Sequence, residues 1–110
     1  MALSLDPKKG ALIIQDLQND VIMPGGAFTA SDGPGPAEHA ASQKVVTNVR
    51  AIAAAARAAG MPVIHVWYIV EPGARGLRQN APLFQGVKEA DALVRGFTGG
   101  AQHCRIAGLG

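Results

Sequence analysis

The sequence predicts an α/β domain built on an incomplete, doubly wound parallel sheet in three layers, with a βαβ core. Two runs, ALII at residues 11–14 and VIHVWYIV at 63–70, are apolar without alternation and rich in β-branched residues. That is how strands buried on both faces of a parallel sheet read. Between them lies an alanine-rich stretch whose apolar residues recur at helical spacing. Strand, helix and strand in that order close as a right-handed crossover with parallel strands.

The first run follows the turn signal DPKKG and stops abruptly at Gln15 and Asp16. Residues 23–36, MPGGAFTASDGPGP, repeat Gly and Pro without any period, which predicts a long loop of the kind that serves function in compact domains. From 37 to 59 one amphipathic helix is expected, with Val45, Val49, Ile52, Ala53 and Ala56 on a narrow face suited to lying flat on the sheet. Gly60 and Met61-Pro62 stop it, because glycine accepts the left-handed position after the last turn and proline disfavours helix before it.

Residues 63–70 form the second strand, 71–82 a loop, and 84–94 a short helix with Phe84, Val87, Leu93 and Val94 inward, weakened by Gly86. The chain is read as one domain over 1–96 with a glycine-rich divergent tail over 97–110. Two strands and one long helix cannot cover both faces of a sheet. An exposed edge is therefore expected to recruit other chains as a homo-oligomer.

Composition excludes several classes. With 48% hydrophobic and 16% charged residues, the 110-residue chain has too much apolar and too little charged content for disorder. The net charge of +2 comes from basic residues scattered along the chain, so no nucleic-acid partner is expected. The single cysteine, Cys104, cannot form an internal disulfide, which fits a cytoplasmic setting. No apolar run is long enough for a signal peptide or a membrane span, so no membrane partner is expected.

Among residues that carry chemistry, Asp16 stands directly after the first strand, where ligands meet open parallel sheets. Equally, its oxygens can cap a turn. No glycine-rich turn follows the strand and no Gly-Lys-Ser/Thr occurs, which removes dinucleotide and P-loop readings. Asp16 and Asp20, four apart, would share a helical face as a magnesium site only with further ligands that cannot be named. His65 reads as a core histidine within its strand, His39 as exposed, and Lys88 as a solvated lysine. Trp67 and Tyr68 alternate across their strand, so one of them is placed to face the crevice. Arg75 and Arg78 read as surface arginines, with a substrate carboxylate as the functional alternative.

The run ALIIQDLQNDV, the glycine-containing loop, the alanine-rich helix and the GMPVI entry into the second strand resemble the N-terminal half of the isochorismatase-like cysteine hydrolases, from about Lys9 to Arg95. The resemblance implies a Rossmann-like three-layer fold, often oligomeric, and hydrolysis of a small amide, carbamoyl compound or vinyl ether. The family's catalytic set is Asp, Lys and Cys, and Asp16 matches the first as base toward the thiol.

The family's Lys and Cys follow later strands that this sequence does not reach. Cys104, after Thr-Gly-Gly-Ala-Gln-His, only faintly echoes the approach to the family cysteine. Some branches bind zinc through an Asp and two His after the second strand. YIVEPGARG stands there, so no metal and no cofactor are expected. The expectation is a truncated or frame-shifted hydrolase for small-molecule substrates, inactive alone. The alternative is a non-catalytic βαβ assembly module.

Overall fold

A computed structural model describes residues 2–29 and 35–101. Its centre is a parallel pair, β1 (Leu12–Gln15) beside β2 (Val63–Val66), in register from Leu12 opposite Val63 to Gln15 opposite Val66. Four α-helices accompany it among the described residues: α1 (Asn19–Ile22), α2 (Pro36–Ser42), α3 (Val45–Ala58) and α4 (Pro82–Glu89). The α/β class and the strand–helix–strand core are present as the sequence indicates.

The small-residue face of α3 lies on the sheet as its pattern requires. Ala53 is fully buried and shares a core with Ile14, Ile22 and Ala40, flanked by Leu12, Val49 and Val63. The helix ends at Gly60, whose φ of +73° only glycine adopts without strain. Its N–H bonds the Arg57 carbonyl at 3.0 Å while Met61 N–H bonds that of Ala56 at 2.8 Å, the paired bonds of a Schellman motif.

Four expectations need correction. The single helix over 37–59 is two, α2 and α3, broken at Lys44, which takes a left-handed φ of +52°. Ser42 Oγ donates to the His39 carbonyl and Asn48 Nδ2 to that of Gln43, so side chains satisfy backbone groups at the break. The apolar period runs straight through this two-residue turn, Gln43 and Lys44, and does not register it.

Ile52 is 53% exposed rather than inward. The buried arc of α3 is centred on Val49, Ala53 and Ala56, and Ile52 flanks an edge of β1 where, among the described residues, no strand pairs.

The second strand is four residues long and covered on one face only. Ile13, Ile64 and Val66 point away from α3 at 58%, 46% and 38% exposure, because no described helix covers that side.

Finally, α4 stops at Glu89; Leu93 is a left-handed bend residue and Val94 a bridge residue, neither of them helical. Val94 forms a parallel bridge to Val70, with Val70 N–H on the Leu93 carbonyl at 2.9 Å and Arg95 N–H on the Val70 carbonyl at 2.8 Å. Val70, Val87, Ala92 and Leu93 make a second small core around this bridge. A one-residue bridge leaves no periodic signal.

A 3₁₀ turn at Thr98–Gly100 packs against α1. Among the described residues no helix is long and apolar enough to cross a membrane.

Candidate active site

The segment Asp-Leu-Gln-Asn-Asp, residues 16–20, carries β1 into α1. Asp16 closes the ladder, donating its N–H to the Val66 carbonyl at 2.9 Å, and then turns left-handed at φ +60°. This places a half-buried carboxylate at the carboxyl end of the strand. Among the described residues the one hydrogen bond that carboxylate receives is a long one, 3.4 Å from Gln15 Nε2. A bond of that length is weak, and no backbone N–H is capped.

The next three polar side chains are structural. Gln18 has no exposed surface. Its Nε2 donates to the carbonyls of Tyr68 at 2.9 Å and Gly100 at 2.7 Å, and its Oε1 accepts the Tyr68 N–H at 2.9 Å. Asn19 Nδ2 donates to the Thr98 carbonyl at 2.7 Å, and Asn19 N–H to that of Ala101 at 2.9 Å.

Asp20 accepts the Ala27 N–H at 3.1 Å on one oxygen and the Leu93 N–H at 2.7 Å on the other. Leu93 itself sits at φ +58°, a strained value for a bulky residue, and Asp20 holds it there. Asp16 lies before α1, so the two aspartates share no helical face, and no cluster suited to a metal occurs among the described residues. Sequence reasoning missed Gln18 and Asn19. The available signal was chemical: four amide or acidic side chains packed into five residues around a four-residue helix.

Asp16 opens onto a crevice of about 400 Å³, within the range of small-molecule sites. Trp67 and Tyr68, just past β2, form one wall, and Leu83, Phe84 and Val87 of α4 form another, with Phe28 beside them. The Tyr68 and Phe84 rings stack with centroids 6.4 Å apart. No lysine, arginine, histidine or cysteine lines it among the described residues.

Lys88, Arg75 and Arg78 are exposed away from it, and His39 is exposed on α2. His65 is half-buried in β2, opposite Ile14. Cys104 and His103 lie outside the described residues.

A parallel α/β unit with a carboxylate and a crevice at the carboxyl end of its first strand is the ligand-binding geometry of open α/β domains. The isochorismatase domain model matches residues 10–107, and the chain belongs to that hydrolase-like family. The match continues beyond Gly96 through the Thr98–Gly100 turn. No curated protein matches the chain.

Proposed function

We propose that this chain carries the base-bearing part of a cysteine hydrolase for small amide or carbamoyl-type substrates, with Asp16 as the general base. The observation that carries the reading is the Asp16 carboxylate at the mouth of an apolar crevice, engaged among the described residues only by Gln15. Family membership supports it. In the proposed cycle a thiol gives its proton to Asp16 and the thiolate attacks the substrate carbonyl. The amine leaves with that proton, and water then hydrolyses the thioester.

The thiol and its supporting lysine are not among the described lining residues. The 110 residues alone are accordingly expected to turn over little or no substrate, as the N-terminal part of a doubly wound, three-layer domain. In this reading the hydrolase part spans 1–96 and 97–110 is a tail. The setting is cytoplasmic, the substrate a small molecule, and neither nucleic acid nor membrane is a partner. A non-catalytic assembly role is the second reading, favoured by the uncovered Ile13, Ile64 and Val66.

The test joins this chain in frame to the lysine- and cysteine-bearing half of a family hydrolase and measures ammonia release from small carboxamides. Asp16→Asn should lower the acylation rate by roughly 10²–10⁴-fold, the usual contribution of a positioned base. Undiminished turnover would reduce Asp16 to a turn residue. Thiol-sensitive hydrolysis by the 110-residue chain alone would instead make Cys104 the nucleophile.

A further inference from the structure

We infer that residues 2–6 of one copy of this chain dock as an extended strand on the free edge of β1 in a second copy, and that two copies exchange these arms across a twofold axis. Two apolar features, both uncovered among the described residues, are complementary.

The first is the arm. Leu3 and Leu5 are 91% and 75% exposed, more than any other large apolar side chain among the described residues. They alternate with Ala2, Ser4 and Asp6, the period-two pattern of a strand with one apolar face. Asp6 is extended and starts the 3₁₀ turn Pro7–Lys9, its Oδ1 accepting the Lys8 N–H at 3.0 Å and its carbonyl the Lys9 N–H at 2.9 Å. At Gly10 the chain rests on Met61, which leads into β2, and an added Cβ would stand 3.3 Å from Met61 Cε. The turn is thereby held on the β2 side of the sheet, and the arm does not reach the open edge of its own β1.

The second feature is that edge. Among the described residues β1 pairs on one side only, with β2. Beside its other side runs a groove of about 180 Å³, lined by Leu12, Ile14 and Leu17 and by Val45, Val49 and Ile52 of α3. Ile52 is left 53% exposed there. An unpaired edge offers a row of backbone donors and acceptors, and a strand laid along it satisfies them.

Length and pattern match. Five extended residues reach about 17 Å and the four of β1 about 13 Å. With Leu3 and Leu5 on the face of Leu12 and Ile14, both leucines enter the groove beside Ile52, and Ser4 falls opposite Ile13 in either strand direction. Each chain carries both the arm and its seat. A twofold axis therefore fills both seats at once and buries the leucines of both arms, which is what makes a second copy the occupant.

The experiment follows the 110-residue chain by sedimentation and by disulfide trapping, with Cys104→Ser throughout. The parent chain should dimerise, and Leu3→Ser with Leu5→Ser should weaken the dimer at least about a hundredfold. Circular dichroism should not change, because neither leucine belongs to the core. Differently tagged chains, one with Ser4→Cys and one with Ile13→Cys, should give a covalent heterodimer in excess of either homodimer when mixed and oxidised. Facing residues of paired strands have Cα atoms about 5.5 Å apart or less, within disulfide reach.

Association that survives the loss of both leucines overturns the inference and leaves the copies held by the face around Ile13 and Ile64. A disulfide that closes within a single chain carrying both cysteines, with no heterodimer from the mixture, overturns it by seating each arm on its own β1. A monomeric parent chain does the same.

Discussion

The side-chain amide of Gln18 pairs with the backbone of Tyr68 through two 2.9 Å hydrogen bonds, donor to acceptor in both directions. The main-chain ladder between β1 and β2 ends at Asp16 and Val66. Two residues further on, a side chain takes over the role of a strand. This keeps Trp67 and Tyr68 at the crevice wall after the strands part, and the remaining Gln18 hydrogen ties in Gly100.

Replacing Gln18 with leucine preserves most of its volume and strands three backbone groups, the Tyr68 N–H and the carbonyls of Tyr68 and Gly100. The Gly100 bond is buried and the two Tyr68 bonds are part-buried; an orphaned buried group costs about 1–3 kcal/mol and a part-buried one less, so a loss of about 2–3 kcal/mol is expected by urea denaturation. Tyr68 should also lose its ring stack on Phe84, visible in the near-ultraviolet circular dichroism.

Two glycine substitutions should move stability in opposite directions. A Cβ at Gly99 would run into the Asp20 carboxylate, which cannot yield because both its oxygens are held by backbone N–H groups. Gly99→Ala is expected to cost about 2 kcal/mol. Gly86 lies within α4 with nothing near its added Cβ, so Gly86→Ala should gain about 0.5–1 kcal/mol. Melting temperatures of the two variants check both.

The uncovered sheet face gives a prediction about association. Ile13 and Ile64, neighbours in register on β1 and β2, present adjacent apolar side chains to solvent. The wild-type chain should sediment as an oligomer, and Ile13→Lys should shift it toward monomer. A compact wild-type monomer would contradict this.

Much of the fold was legible because it rests on periodic burial. The β1 strand, the α3 face around Ala53 and the Gly60 stop all follow from spacing or from glycine chemistry. What escaped depends on single residues. Lys44 breaks a helix without disturbing its apolar period, and Asp91 at φ +49° ends α4 where glycine would be expected. The Val70–Val94 bridge is one residue wide.

At the site, the position of Asp16 could be read from the end of a strand. The work of Gln18, Asn19 and Asp20 could not, because apart from Ala27 their partners, from Tyr68 to Ala101, lie about fifty to eighty residues away along the chain.

Within residues 16–20 the labour is divided: Gln18, Asn19 and Asp20 are spent on architecture, while among the described residues the Asp16 carboxylate is held only by a long bond from Gln15. The most direct measurement compares urea denaturation of Asp16→Asn and Asp20→Asn at one fixed protein concentration.

Asparagine tolerates the left-handed φ of position 16, and the bond lost there is long, so Asp16→Asn should lie within about 0.5 kcal/mol of wild type. At position 20 the amide NH₂ must oppose a backbone N–H of Ala27 or Leu93, and about 2 kcal/mol should be lost. Equal losses from the two variants, or a larger loss at Asp16, would contradict the claim.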